Sequence, residues 1–363
     1  MELRLYFYIM GELRMRKMKM LKMMASVICI CLVLAACGNA KNNNNPAPAG
    51  NGENAGNTAE QSQNAANSGQ QADGVRSFKH ALGTADVEGT PTRIVALEYT
   101  YAEDLIALGV QPVGVADVKG YQAWVNTTPG LDANVQDVGT RQEPNLEAIM
   151  ALDPDLILTS DFRAKDIYDK LADIAPTIAF SPYQDENGVD QYQEMIDTFN
   201  TIADAVGKQE EAKQVLAGLD ETYKAAAEKL KSAGKENAEF TLVQAFSNQN
   251  SPVFRIFTDN SMAVKILNKI GLQNANKEPA YEVYGYSEKS VEAFPALQDS
   301  NFLYIVQDDD NVFETHLKEN QVWKNLNFVK ENRTYALGGD SWVFGGPLSA
   351  KTLVDKAVSV LAP

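Results

Sequence analysis

The stretch GTRQEPNLEAIMALDPDLILTSDFR, residues 139–163, decides the fold. Asn145 is a favourable helix N-cap, and apolar residues follow it at helical spacing from Leu146 onward. The helix is expected to stop before Pro154, because the residue preceding a proline is disfavoured in the α conformation. Residues 155–159 form a short apolar run, which is typical of a strand buried in a parallel sheet. The stretch therefore predicts a loop, a helix, a strand and a second loop of an α/β fold.

Each of the two loops carries an arginine. Arg141 precedes the predicted helix and Arg163 follows the predicted strand, and only six arginines occur after residue 37. In an open α/β sheet, the loops at the carboxyl ends of the strands form the ligand crevice. Arg163 is expected at that edge, and Arg141 reaches it if its own loop follows a strand. We therefore predict that both arginines line a ligand site.

Strand and helix patterns alternate before and after a long segment that has no strand pattern. That segment contains apolar residues at helical spacing over 191–206 and an Ala/Glu/Lys/Leu-rich helix over 208–231. The second helix would span about 36 Å, which is enough to cross from one domain to another. A surface helix packed on one sheet is the alternative. Shorter elements are expected as a strand at 110–115, an aromatic loop at 119–124 and a helix at 290–297.

The two halves of the chain repeat one pattern at a fixed offset. Arg93-Ile-Val and a helix closed by Gly109 correspond to Arg255-Ile-Phe and a helix closed by Gly271. We therefore predict an α/β fold of two Rossmann-like lobes with mostly parallel sheets, joined by a single long α-helix, with the ligand cleft between the lobes. The expected bounds are 1–36 for a leader, 37–74 for a tether, 75–207 for the amino-terminal lobe, 208–232 for the bridging helix and 233–363 for the carboxy-terminal lobe.

The amino terminus has the pattern of a lipoprotein leader. Basic residues precede an apolar run at 23–36 that is too short to span a bilayer, and Leu-Ala-Ala precedes Cys37, which resembles a bacterial lipobox. We expect cleavage before Cys37, lipidation of that residue, and anchoring on the outer face of the cell membrane in the manner of Gram-positive lipoproteins. Residues 38–73 are low in complexity and are expected to form a flexible tether. An uncleaved anchor with an incidental cysteine is the alternative.

Composition argues against several classes of function. The net charge is −16, which disfavours nucleic acid as a partner. Cys29 and Cys31 leave with the leader, and His80 and His316 are the only histidines. A thiolate or His-rich metal site and a Ser-His-Asp arrangement are therefore not expected.

Several motifs together resemble one known family. They are RIVAL at 93–97, DLIALGVQPVGV at 104–115, VGTRQEPNLEAI at 138–149, ALDPDLIL at 151–158, FRIFTD at 254–259 and GGPLSA at 345–350. The chain resembles the substrate-binding lipoproteins of ABC importers for iron–siderophore complexes and vitamin B12, over about residues 75–361. The resemblance implies a monomeric receptor that is not an enzyme and has no cofactor. Such a receptor passes a ferric siderophore of hydroxamate or citrate type, or ferric citrate, to a membrane permease with a cytoplasmic ATPase. The alternatives are a haem or cobalamin receptor, a surface hydrolase and an adhesion lipoprotein.

The resemblance also implies roles for individual residues. Arg141 and Arg163, with Arg255, are expected to hold anionic oxygens of a chelate bidentately. Aromatic residues in the predicted loops are expected to contribute further ligand contacts: Trp124, Tyr284, Trp342 and Phe344. Some citrate-siderophore binders carry extra arginines near the equivalent of Phe344, where this chain has glycines, and the difference favours a less anionic chelate.

Two glutamates occupy equivalent first turns of the repeated helices. Glu147 and Glu292 are each expected to dock an arginine of the permease, as in relatives. The alternative is that each carboxylate only stabilises its own helix through the helix dipole.

Overall fold

The computed structural model describes residues 74–363. The predicted leader, Cys37 and the tether therefore lie outside the described residues. The described chain begins with an antiparallel hairpin of β1 (Val75–His80) and β2 (Gly83–Glu88).

The amino-terminal lobe is built on a five-stranded parallel sheet. Its strands are arranged in the order β5-β4-β3-β6-β7. Their bounds are β3 (Ile94–Ala96), β4 (Gly114–Val115), β5 (Gln136–Asp137), β6 (Leu156–Ser160) and β7 (Thr177–Phe180). The helices of this lobe are α1 (Tyr99–Ala107), α2 (Val118–Trp124), α3 (Leu146–Ala151), α4 (Asp161–Ala164) and α5 (Tyr168–Ala172). All residues of β3, β6 and β7 are buried, as expected for a parallel sheet that is covered on both faces.

Two helices connect this lobe with the next one. They are α6 (Gln191–Ala205) and α7 (Gln209–Ser232). In α7, Ala212 is buried in the amino-terminal core, whereas the carboxy-terminal core contains Leu219, Tyr223, Ala226 and Leu230. In α6, Met195 lies in the carboxy-terminal core and Phe199 in the amino-terminal one. The long helix therefore contacts both cores, and the helix before it does so as well.

The carboxy-terminal lobe is built on a mixed sheet. Five of its strands follow the order β11-β9-β8-β12-β13, and β10 pairs with β8. Their bounds are β8 (Glu239–Asn248), β9 (Ser251–Phe257), β10 (Gln273–Asn274), β11 (Tyr286–Lys289), β12 (Asn301–Ile305) and β13 (Thr334–Ala336). The pairings of β9 with β8 and with β11 are antiparallel. The helices are α8 (Met262–Lys269), α9 (Val312–Thr315), α10 (Gln321–Asn325), α11 (Asn327–Lys330) and α12 (Pro347–Leu361), with 3-10 turns at Val291–Leu297 and Asp308–Asp310.

The last helix, α12, is attached to both lobes. Most of its buried residues, from Ala350 to Leu361, lie in the carboxy-terminal core, while Leu348 packs against the amino-terminal core. Glu103, on α1, accepts hydrogen bonds from the backbone N–H groups of Gly346 and Ser349 at the start of α12. No helix among residues 74–363 has the length and apolarity needed to cross a membrane.

Three local predictions were wrong. The segment predicted as a loop at 119–124 is the helix α2, because Asp117 caps it by accepting a hydrogen bond from Gly120. The strand predicted at 110–115 is reduced to β4, since Pro112 lacks the N–H needed for pairing. The helix predicted at 290–297 is a 3-10 helix that contains Pro295, which cannot donate an α-helical hydrogen bond.

Candidate functional site

Three charged side chains meet at the carboxyl edge of the amino-terminal sheet. Glu98 follows β3, Arg141 follows β5, and Arg163 follows β6, where it lies in the short helix α4 and not in the loop that we expected. The chain leaves β3 toward β4 but leaves β6 toward β7, on the opposite side of the sheet. Such a change of direction is the point at which open α/β sheets bind ligands.

Glu98 holds both arginines. Its Oε2 accepts a hydrogen bond from Nη1 of Arg141 at 3.1 Å, and its Oε1 accepts one from Nε of Arg163 at 2.8 Å. The Glu98 side chain is only 10% exposed, while those of Arg141 and Arg163 are 19% and 26% exposed. The structure thus brings the two predicted arginines together through a carboxylate that sequence reasoning missed. The signal was available, because Glu98 directly follows the apolar run that forms β3.

Aromatic rings support the two guanidinium groups. Arg141 lies 4.0 Å from the ring centroid of Tyr99 and 5.7 Å from that of Trp342. Tyr99 is itself held by a hydrogen bond from its hydroxyl to Asp117. Arg163 lies 4.9 Å from the ring of Phe162. Stacking of this kind keeps a guanidinium oriented while its edge stays available for a ligand.

Arg255 brings a third guanidinium from the carboxy-terminal lobe. Its Nε donates to Glu288 at 3.1 Å and its Nη1 donates to Gln244 at 3.2 Å. The ring of Tyr286 lies 4.6 Å away. Strand pairing explains both hydrogen bonds, because β11 places Glu288 and β8 places Gln244 directly beside Arg255 on β9.

All three arginines line one cavity of about 410 Å³ between the lobes. That volume lies within the range of small-molecule sites. Both lobes and the crossing helix α6 contribute to its walls. Its polar and charged lining includes Glu98, Thr100, Arg141, Gln142, Arg163, Gln191, Glu194, Thr198 and Arg255.

Glu194, on α6, is a second acidic residue of the cavity that sequence reasoning missed. Its Oε1 accepts a hydrogen bond from Thr198 at 2.7 Å. Burial raises the pKa of Glu194 to about 7, although the hydrogen bond from Thr198 opposes that shift and the neighbouring Asp197 adds to it. The ionisation of this cavity residue therefore changes in the neutral pH range.

The aromatic residues differ in their relation to the cavity. Tyr284, Trp342 and Phe344 line it, as does Tyr183, which was not anticipated. Nε1 of Trp342 is buried and has no hydrogen-bond partner within the described residues. Trp124 does not line the cavity, because it lies at the end of α2 and packs against the amino-terminal core.

A contact between tyrosines joins the two lobes at the cavity. The rings of Tyr183 and Tyr284 are 4.9 Å apart and nearly perpendicular. Tyr183 follows β7 of the amino-terminal sheet, and Tyr284 precedes β11 of the other sheet. Tyr284 remains 49% exposed, so this pair lies where the cavity meets solvent.

The two predicted docking glutamates do not line the cavity and are exposed. Glu147 lies in the first turn of α3, and Glu292 lies in the first turn of the 3-10 helix at Val291–Leu297. Met150, one turn after Glu147, is 61% exposed. Both carboxylates are thus available to a partner from solvent.

Residues 74–363 contain no group of three His, Cys, Asp or Glu side chains placed to hold a metal ion. The positively charged groups that line the cavity are three arginines, whose hydrogen-bond donors match anionic oxygens. The arrangement can hold a small molecule that presents such oxygens together with apolar arms.

The sequence is similar to proteins that bind small ligands. The sequence profile of the periplasmic binding protein family matches residues 94–340. The Fe(3+)-citrate-binding protein YfmC of Bacillus subtilis is 33% identical over 271 residues, which cover 74% of this chain and 81% of that relative. The iron(3+)-hydroxamate-binding protein FhuD of Escherichia coli is 29% identical over 73% of this chain and 85% of its own length.

A solved structure is also similar. The siderophore-binding protein FhuD from Vibrio cholerae, with Fe3+–Desferal bound, matches with a TM-score of 0.67 and 27% identity, and the match covers 75% of this chain and 99% of that chain. The resemblance drawn from the motifs, including two α/β lobes, is confirmed. All three relatives are named as binding proteins. The chain belongs to the periplasmic binding protein family.

Proposed function

We propose that this protein is an extracytoplasmic receptor that binds a ferric siderophore of hydroxamate or citrate type, or ferric citrate, and delivers it to an ABC permease. The observation that carries the proposal is the convergence of Arg141, Arg163 and Arg255, from two lobes, on one cavity. Relatives named for binding ferric citrate and ferric hydroxamates support the same ligand class.

The cavity suits a chelate because it combines donors with apolar walls. Guanidinium groups bind carboxylate or hydroxamate oxygens with charge-assisted hydrogen bonds. Tyr284, Trp342 and Phe344 supply aromatic surface for the carbon chain of a chelator. Iron then arrives with its own ligands, and the protein contacts only the outside of the complex.

Delivery requires a membrane partner. The proposal assigns Glu147 and Glu292 to docking on the permease, since both are exposed at the first turn of a helix, one on each lobe. Lipidation of Cys37 would keep the receptor at the outer face of the membrane, and the tether would give it reach. We propose that the receptor acts as a monomer, because docking uses one glutamate from each lobe of a single chain.

A ligand panel tests the proposal. The purified receptor is titrated with ferric citrate, ferric schizokinen, ferrioxamine, haem and cobalamin, with tryptophan fluorescence and iron retained after desalting as readouts. Trp342 is the reporter, because it is the tryptophan that lines the cavity. We expect tight binding of at least one ferric chelate and a loss of affinity in Arg141→Ala. Binding of cobalamin or haem alone would overturn the proposal.

A further inference from the structure

Glu98 is the shared partner of the two arginines of the amino-terminal lobe. We propose that Glu98 determines which chelates the receptor accepts, by favouring ferric complexes with a net charge near zero over strongly anionic ones. This inference rests on the proposed function and names the ligand class of the same cavity.

The geometry makes Glu98 a fixed part of the cavity wall. It lies two residues after the end of β3, and it is the N-cap residue of α1. Each of its carboxylate oxygens is used by a different arginine. The residue is 8% exposed, so its charge is poorly screened by solvent. An ionised side chain held in this way acts on any charged ligand in the cavity.

Glu98 leaves the arginines with free donors. Arg163 uses Nε toward Glu98, and neither of its Nη atoms makes a hydrogen bond within residues 74–363. Arg141 uses Nη1 toward Glu98, and its Nη2 makes no hydrogen bond within residues 74–363. A ligand can therefore still receive hydrogen bonds from both guanidinium groups, while one unit of their combined positive charge is already compensated.

The charged side chains at the cavity nearly cancel one another. Arg141, Arg163 and Arg255 are opposed by Glu98 and by Glu288, which pairs with Arg255. One positive charge remains, and Glu194 reduces it further when it ionises. Three hydroxamates neutralise Fe3+ completely, whereas a ferric complex with two citrates carries several negative charges. The first kind of chelate matches the cavity and the second does not.

A series of ligands that differ only in charge tests the inference. The probes are ferric complexes of one linear trihydroxamate whose terminal group is an ammonium, an acetamide or a succinamate, with net charges of +1, 0 and −1. Their Kd values are measured at low ionic strength for the native receptor and for Glu98→Gln. The quantity compared is the Kd of the −1 probe divided by the Kd of the +1 probe. We expect Glu98→Gln to lower this ratio roughly tenfold, in favour of the anionic probe. A purely structural role would weaken all three probes equally and leave the ratio within about twofold, and that result would overturn the inference.

Two further variants separate charge from folding. Arg163→Gln and the double variant Glu98→Gln/Arg163→Gln differ only at residue 98, so they repeat the comparison even if Glu98→Gln alone does not fold. We expect the double variant to favour the anionic probe more than Arg163→Gln does. Glu319→Gln, which removes an exposed carboxylate that pairs with Lys324, should leave the ratio unchanged. An equal change of the ratio in Glu319→Gln would contradict the role of Glu98.

The same data distinguish the two proposals. A native receptor that binds none of the probes, no ferric citrate and no ferric schizokinen would refute the proposed function. A native receptor that binds ferric citrate but not the neutral trihydroxamate would refute only the charge preference. An unchanged ratio in Glu98→Gln, with native binding intact, also refutes only the role of Glu98.

Discussion

Hydrogen bonds between Glu103 and Ser349 connect α1 of the amino-terminal lobe to α12, the last helix of the chain. Oε1 of Glu103, on the first helix, accepts a hydrogen bond from the backbone N–H of Ser349 at 2.7 Å, and Oε2 accepts one from the Ser349 hydroxyl at 2.5 Å. Both residues are buried. A carboxylate of the amino-terminal lobe thus caps the helix that completes the carboxy-terminal lobe, and it occupies the position that a helix N-terminus favours for negative charge.

Removing this cap should destabilise the protein. Glu103→Ala leaves the N–H groups of Gly346 and Ser349 buried without an acceptor, and we expect a loss of about 3 kcal/mol in the free energy of unfolding. Urea unfolding followed by circular dichroism measures the change. Glu210→Ala is the control, because its side chain is 76% exposed, and it should change the stability by less than about 0.5 kcal/mol. Similar values for the two variants would contradict the role of the cap.

The affinity for an anionic chelate should fall as the pH rises through about 7. Burial raises the pKa of Glu194 to about 7, so the side chain is neutral at pH 5.5 and negatively charged at pH 8.5. Calorimetric titration with the ferric trihydroxamate of net charge −1 across this range should show weaker binding at the alkaline end. Glu194→Gln should remove most of this pH dependence, and an unchanged dependence in that variant would assign it to another group.

Glu194 should also make stability depend on pH. Its folded-state pKa lies above the value of 4.5 for an unperturbed glutamate, so the folded state binds the proton more tightly than the unfolded chain. The resulting stabilisation is complete below pH 4.5 and is lost as the pH rises through about 7. In urea unfolding, Glu194→Gln should lack this decline between pH 5 and pH 8. Parallel curves for the variant and the native protein would refute the assignment.

Truncation of Tyr284 should speed ligand release. Tyr284→Ala removes the ring that contacts Tyr183 across the cavity, and an aromatic pair of this kind contributes about 1 kcal/mol. We therefore expect koff to rise roughly fivefold, measured by stopped-flow displacement of a bound ferric chelate. Tyr284→Phe is the matched control, because it keeps the ring. An equal rise in koff for both substitutions would contradict a role of the ring contact and would show that the hydroxyl group slows ligand release.

The docking proposal predicts a separation of binding from transport. The double variant Glu147→Gln/Glu292→Gln should bind ferric chelate with native affinity, because neither side chain lines the cavity. Iron uptake by cells that depend on this receptor should nevertheless be strongly reduced, since the permease loses two carboxylate contacts. Glu210→Gln is the exposed control. Normal uptake by the double variant would contradict the docking proposal. The two glutamates would then serve only to stabilise their own helices.

Sequence reasoning was most reliable where periodicity and end signals agreed. The helix and the strand of the stretch 139–163 were predicted correctly because Asn145 caps the helix and Pro154 follows it, whereas the expected second loop is the short helix α4. The long helix was predicted over 208–231 and is observed at Gln209–Ser232. In both cases, local patterns and tertiary packing favour the same structure.

The misses have a different physical origin. Glu194 was overlooked because its importance depends on which side chains the fold brings near it, and spacing along the chain does not reveal that. Glu98 could have been found, since it directly follows the apolar run that forms β3. Tyr183 was missed because its ring contacts that of Tyr284, which lies about a hundred residues later in the chain. Trp124 was assigned to the ligand from its aromatic neighbourhood, whereas α2 turns it toward the core.

The three helices that contact both lobes have a consequence for competition at the membrane. Because α6, α7 and α12 each span the junction, rotation of one lobe against the other must strain several packed surfaces at once. We therefore expect empty and loaded receptors to keep nearly the same spacing between Glu147 and Glu292. On the proposed function, an unloaded copy would then occupy the permease almost as well as a loaded one. The rate of iron uptake should then pass through a maximum as the number of receptors per permease increases at a fixed, limiting supply of chelate.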